Sequence, residues 1–245
     1  MGFSPFFKRW ALDDVCPPWG SPSLYEILRA NGAGAALPER PKRNENELGW
    51  VAAALDGVTG RHFTQAADDQ IQSRTKAIVA ALARLLKHSC QENVSALDTT
   101  LHAETLISIA DALQGQIKLN LLTNETRSSR VAKVGRYFAT RAADRETAKF
   151  GILLLELSGE DSDRPVLETL ALHDEFTLYA ALALCKLSSD PENVLWQLAQ
   201  KVHGWGRVQV VERLDGAKSP AIQASISLAS APGPEGYTRR CQRKA

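Results

Sequence analysis

Apolar residues recur at helical spacing through the middle of the chain. Side chains three, four and seven residues apart lie on one face of an α-helix, so this spacing predicts amphipathic helices with one face toward a core. Residues 150–157 are apolar on nearly every side, which is typical of a helix covered by neighbours on both faces. The positions with the amphipathic spacing are Ile78, Leu82 and Leu85, then Leu106, Ile109 and Leu113, then Val131, Val134 and Phe138.

Between residues 149 and 215 helix-breaking groups interrupt this pattern at similar intervals. Leu157, Leu187 and Leu214 each close an apolar segment before such a group, and each interval has room for one helical hairpin. A single hairpin cannot bury its own apolar face, so neighbouring hairpins must stack. We therefore predict an all-α fold of stacked helical hairpins, a HEAT/armadillo-like α-α superhelix.

Local signals give some helix boundaries. Asp190 before Pro191 predicts a helix start, because the carboxylate can accept from free first-turn amides and proline lacks the amide that would go unpaired. Asp174 is predicted to cap a helix in the same way. Residues 116–121 alternate with period two, which is a strand signature, and we leave them as a strand or an extended connector.

The two ends of the chain differ from its middle. Residues 1–48 are rich in proline and glycine and are predicted to be irregular apart from one short helix over 24–30, capped by Ser21 or Ser23 and ended by Gly32. Residues 49–216 form the predicted helical-repeat domain, beginning with a helix over 47–56. Residues 217–245 are predicted to be a short helix and a flexible basic tail; a truncated or frame-shifted terminus is the alternative.

Composition and charge limit the function classes. The chain is 44% hydrophobic and 23% charged, as in ordinary globular proteins. With 29 Lys plus Arg against 28 Asp plus Glu, no global field favours nucleic acid or an acidic membrane surface. No apolar run approaches the ~20 residues of a membrane span. We therefore expect no membrane association, and a local basic patch stays open.

The four cysteines also limit the class of protein. They are far apart and never two residues from each other, which argues against a zinc site, a redox dithiol or a disulfide framework. A reducing compartment fits this pattern, so we predict a cytoplasmic protein.

Two long runs, residues 170–184 and 193–214, carry a resemblance to a known family. The second run includes the motif His-Gly-Trp-Gly-Arg at 203–207, and shorter pieces at 22–28 and 54–58 belong with them. Through these segments the chain resembles an uncharacterised bacterial HEAT-like (armadillo-type) helical-repeat family over most of residues 20 to 220. The resemblance implies a helical-repeat fold and brings no established activity.

The motif at 203–207 has two interpretations. Two glycines around a tryptophan permit unusual backbone angles or close packing, so Trp205 can plug a groove beside Trp196 at a tight turn between helices. Alternatively, Trp205 and Arg207 present a flat apolar surface and a forked cation to a partner. The structural interpretation is the prediction, and the functional one is the alternative.

A basic stripe is the second candidate site. Arg130, Lys133 and Arg141 fall near one helical face. Such a stripe is usually a solvated face balanced by acidic residues. Arginines and lysines on one face can also follow the phosphates of a nucleic acid, which is the alternative.

A catalytic or metal site has less support in the sequence. The doublet His173-Asp174 invites comparison with metal-dependent hydrolases, but the remaining histidines lack a recognisable arrangement, and the cap role of Asp174 already explains it. Cys185 lies on an apolar helix, where a thiol is normally core. We predict no catalytic residue, cofactor or metal. The leading hypothesis is a scaffold or adaptor that binds another protein; a nucleic-acid-binding repeat protein is second and a metal-dependent hydrolase third.

Overall fold

The computed structural model describes residues 10–20, 22–33, 35–38, 68–102, 105–214, 216–220 and 222–223. This part of the chain contains ten α-helices, two 3₁₀ turns and no strand, which confirms the predicted all-α class. The 3₁₀ turns are Leu106–Ser108 and Asp161–Asp163. The helices are Leu24–Asn31 (α1), Asp68–Lys87 (α2), Gln91–His102 (α3), Ala110–Asn120 (α4), Glu125–Arg141 (α5), Arg145–Ser158 (α6), Arg164–Leu170 (α7), Asp174–Leu187 (α8), Pro191–Lys201 (α9) and Gly204–Arg213 (α10).

The later helices form hairpins that stack on one another. Helices α5 and α6, α7 and α8, and α9 and α10 pack as pairs, while α6 contacts α8 and α8 contacts α10. The predicted stack of hairpins is therefore confirmed. Leu157, Leu187 and Leu214 lie at the carboxyl ends of α6, α8 and α10, so each interval between them holds one hairpin.

Helix α6 lies at the centre of the described helices. It contacts α3, α4, α5 and α8, and residues 146–155 are buried without interruption. Full burial explains why the sequence shows apolar residues on every side of this segment rather than one stripe. The prediction of a helix covered on both faces is confirmed.

Glycine permits a close contact between α5 and α6. Gly135 of α5 and Gly151 of α6 face each other, and a Cβ atom at Gly151 would stand only 2.9 Å from the carbonyl oxygen of Gly135. Real Cβ atoms essentially never approach backbone atoms under 3.0 Å. The α5–α6 crossing therefore depends on the absence of a side chain at residue 151.

The predicted caps are right in two helices. Ser23 caps α1 by accepting from the amide of Glu26, and Gly32 ends that helix with φ +71°. Asp190 caps α9 by accepting from the Asn193 amide at 3.1 Å, and Pro191 is the first helical residue, as predicted.

The predicted cap of α8 is wrong. His173, not Asp174, is the N-cap, and its Nδ1 accepts from the Glu175 amide at 3.2 Å. Asp174 is already inside the first turn, where a carboxylate is favourable through the helix dipole. The sequence favours Asp174 as the cap because histidine is not among the preferred N-cap residues.

Residues 116–121 are not a strand or an extended connector, which corrects that interpretation. They continue α4, with Leu113, Ile117 and Leu121 buried at four-residue spacing. Leu119 produced the period-two pattern, and its side chain is 73% exposed. The helix predicted from Leu106 begins with a 3₁₀ turn before α4.

The described part of the N-terminal segment is irregular apart from α1, and it packs into the core. Leu12, Leu24 and Leu28 are buried in the same cluster as the later helices. The indole Nε1 of Trp10 donates to the Leu85 carbonyl at 3.1 Å. Three predicted segments lie outside the described residues: the helix over 47–56, the piece at 54–58 and the tail from 224.

Candidate functional site

The motif at 203–207 begins α10, and both of its glycines have a structural reason. Gly204 adopts φ +57°, a left-handed conformation that favours glycine. Gly206 packs against α8, where a Cβ atom would stand 2.6 Å from the hydroxyl oxygen of Thr177. The prediction that these glycines serve unusual backbone angles and close packing is confirmed.

Trp205 is not the packed plug that the sequence predicts. Its side chain is 45% exposed, whereas Trp196 packs against the core. The prediction fails because residues 204–206 are helical, so contact of Gly206 with α8 turns Trp205 away from that contact. Val208, one turn later on the same side of α10, is 43% exposed. We call Trp205 and Val208 the α10 apolar pair.

Arg207 is exposed but does not share a surface with Trp205. Residues two apart on an α-helix do not face each other, so Trp205 and Arg207 lie on opposite flanks of the Gly206 contact. The structure brings Trp205 together with Val208, a partner that sequence reasoning missed. The i, i+3 spacing was a readable signal once residues 204–213 were known to be helical.

The basic stripe on α5 is largely engaged within the molecule. Arg130 donates to the Leu86 carbonyl at 2.9 Å, and its guanidinium lies over the Trp10 ring. Arg141 donates to the carbonyls of Val15 and Asp13 at 3.4 and 3.3 Å. Two of the three cations therefore hold the N-terminal segment on α5.

Lys133, the third member of the stripe, is exposed. Its neighbour Arg136 forms an ion pair with the buried Asp163 at 2.5 Å, and this hydrogen bond is the main cause that raises the pKa of Arg136. The stripe is thus not a row of solvated cations.

His173 has no metal-site geometry around it. Among the described residues, no group of three or more His, Cys, Asp or Glu side chains could hold a metal ion. The Nδ1 of His173 is occupied as the α8 cap and lies 3.4 Å from Asp174. Burial, the largest effect, and the charge of Arg145 lower the pKa of His173, against the raising effect of Asp174 and Glu175.

A buried ionic network lies where α6 meets α8, and the sequence reading missed it. Lys149 is 1% exposed, and its Nζ lies 3.2 Å from Glu146 and 3.3 Å from Glu175. Arg145 adds a 2.6 Å ion pair to Glu175. Glu146 also accepts from the Leu106 amide at 2.7 Å. The signal in the sequence was Glu146 and Lys149, three residues apart at the start of an apolar helix.

This network is a structural junction rather than a reaction centre. Its carboxylates and the Lys149 ammonium are buried, so a substrate has no access to them. Besides the ion pair within α6, its contacts join separate parts of the chain: α6 to α8, α6 to the first 3₁₀ turn, and Arg145 to the carbonyl of Pro38. Buried charges are retained only when they are paired in this way.

One cleft and one cysteine among the described residues offer little room or reactivity. A cleft lined by Arg164, Leu184 and Val194 between α7, α8 and α9 holds about 20 Å³, space for one water molecule. Small-molecule sites need ~300–1,000 Å³. Burial raises the pKa of the Cys185 thiol, which disfavours the nucleophilic thiolate.

No helix in the described ranges is long and apolar enough to cross a bilayer. No protein-family model, curated protein or solved structure matches the chain significantly.

Proposed function

We propose that this chain is a HEAT-like interaction scaffold that binds another protein through the α10 apolar pair, Trp205 and Val208. The observation that supports the proposal is a tryptophan left 45% exposed beside a valine left 43% exposed. Tryptophan is enriched among the residues that dominate binding energy at protein interfaces, because it supplies a large rigid contact area.

Helix α10 does not need this side for its own packing. Gly206 and Val210 are buried toward the stack, and Leu214 is buried at the end of the helix. The helix is therefore fixed in place while Trp205 projects from the other side. A rigid helix with an exposed aromatic side chain loses little conformational entropy on binding.

Site-specific cross-linking in the source cell tests the proposal. A photoreactive phenylalanine analogue at position 205 should capture a defined partner, whereas the same group at position 119 should not. Leu119 is a matched control because it is a large apolar side chain, 73% exposed, on α4. Capture of the same proteins at both positions, or of none at 205, would contradict the proposal.

Arg207 belongs to the proposed site only at its margin, because it lies on the opposite flank of α10 from Trp205. We expect Arg207→Ala to weaken partner binding less than Trp205→Ala. Charges at the rim of an interface contribute mainly to the association rate and its salt dependence.

The nucleic-acid alternative has weaker support. Arg130 and Arg141 already make intramolecular contacts, and Lys133 is the exposed cation of the three. If the protein bound nucleic acid through this stripe, its affinity for an oligonucleotide would fall steeply with salt and with charge reversal at Lys133. The metal-dependent hydrolase has no supporting geometry among the described residues.

The proposal includes a cytoplasmic location. Cys16, Cys90 and Cys185 are free thiols, a state that a reducing compartment maintains.

A further inference from the structure

The N-cap of α8 is an unusual one. His173 has an extended backbone, with φ −107° and ψ 132°, and its Nδ1 accepts the Glu175 amide at 3.2 Å. Serine, threonine, aspartate and asparagine usually fill this position, and their oxygens remain acceptors at every pH near neutrality. An imidazole nitrogen accepts only while it carries no proton.

The first turn of α8 joins two neighbouring helices. Glu175 forms ion pairs with Arg145 and Lys149 of α6 at 2.6 and 3.3 Å. Thr177 packs against Gly206 of α10, and its hydroxyl lies 2.9 Å from the carbonyls of Ala171 and His173. Residues of the turn that His173 caps therefore take part in both the α6–α8 and the α8–α10 contact.

We propose that His173 is a proton-sensitive cap that makes the α6–α8–α10 stack loosen in mild acid. A proton on Nδ1 removes the acceptor for the Glu175 amide and places a positive charge at the amino end of α8, where the helix dipole disfavours it. The first turn then loses its cap, and Glu175 and Thr177 lose their fixed positions. The effect lies within the stack itself and needs no partner protein.

The charges around His173 have opposing effects. Asp174 and Glu175 on its own helix favour the imidazolium, and Asp174 Oδ1 lies 3.4 Å from Nδ1. The charge of Arg145 in α6 disfavours the imidazolium. The side chain of His173 is only 16% exposed. Burial has the largest effect, so the pKa of His173 is lower than its ordinary value.

The lowered pKa fixes the sign of the pH dependence. The pKa of a histidine in the unfolded chain is about 6.5, so the unfolded chain binds this proton more readily than the folded chain does. The stabilisation that the cap provides is fully present at pH values above the pKa of the unfolded histidine. This stabilisation decreases as the pH drops from the unfolded pKa to the lower pKa of His173 in the folded chain. Below the folded pKa it does not change further.

Thermal unfolding between about pH 7.5 and about pH 5.5 tests the inference. His173→Asn keeps a capping oxygen and removes the titrating group, so its melting temperature should fall less in acid than that of the wild type. His173→Ala should already melt earlier at about pH 7.5, because it has no cap. His102→Asn is the control, at a 46% exposed histidine beside Asp98 and Asp144. Its melting temperature should fall in acid as much as that of the wild type, and more than that of His173→Asn.

Amide hydrogen exchange gives the local readout. Exchange of the Glu175, Phe176 and Thr177 amides, corrected for intrinsic rates, should accelerate in acid in the wild type and not in His173→Asn. Identical pH dependence of melting in the wild type and His173→Asn would overturn the inference. A His173→Ala chain as stable as the wild type at about pH 7.5 would overturn it as well, because the cap would then contribute nothing.

Discussion

The centre of the stack and its α10 end use their polar and apolar residues in opposite ways. In α6 even the charged side chains Glu146 and Lys149 are buried, and each is paired. In α10 the largest apolar side chain, Trp205, is 45% exposed. Burial of a charge requires a partner inside the fold, whereas an exposed tryptophan needs none. The centre is therefore held by packing and paired charges, and α10 leaves its largest apolar side chain exposed.

Replacement of Lys149 is expected to have the largest effect. Lys149→Met leaves the Glu146 and Glu175 carboxylates buried without their shared cation, which should cost about 3–5 kcal/mol of unfolding free energy. Urea unfolding measures the loss. Lys133→Met, the same change at an exposed position of α5, should stay within about 0.5 kcal/mol. Equal losses in the two variants would remove the contrast between buried and exposed lysines.

Gly151→Ala should have the next largest effect. The new methyl group would meet the backbone of α5, which cannot move aside as a side chain can, so we expect a loss of about 1–3 kcal/mol. Gly115→Ala in α4 is the matched control. Nothing lies within 4 Å of its Cβ position, so alanine should stabilise that helix by about 0.5–1 kcal/mol. The account of the α5–α6 crossing is wrong if both variants are stabilised.

Trp205→Ala should have the smallest effect on folding. Its half-exposed ring predicts a loss of about 1 kcal/mol, against ~3–5 kcal/mol for a fully buried tryptophan. Trp196→Ala, at a ring packed against the core, should melt earlier than Trp205→Ala. Calorimetric melting curves of the two variants decide this. Earlier melting of Trp205→Ala would restore the plug interpretation.

The sequence predicted the helices better than it predicted what their side chains contact. Period and breakers located the hairpins between Leu157 and Leu214, because burial on one side imposes a spacing that a single sequence displays. Residues 116–121 misled because the exposed Leu119 imitated an alternating strand. A hydrophobicity pattern assumes that apolar means buried, and it fails wherever a leucine faces water.

The candidate site was only half predictable. The sequence singled out Trp205 and the two glycines, and the glycines have the predicted roles. The pairing of Trp205 with Val208 required knowing that α10 begins at Gly204, and the engagement of Arg130 with Trp10 required the tertiary fold. Contacts between residues far apart in the chain leave no periodic signal.

The affinity of the cross-linked partner, purified and titrated calorimetrically, tests the central claim most directly. Trp205→Ala should weaken binding about 30-fold, the ~2 kcal/mol that defines a dominant interface residue. Leu119→Ala should bind as the wild type does, because its exposed leucine is on α4 and not on α10. Equal dissociation constants for the wild type and Trp205→Ala, with both chains folded, would contradict the claim that the α10 apolar pair is the binding surface.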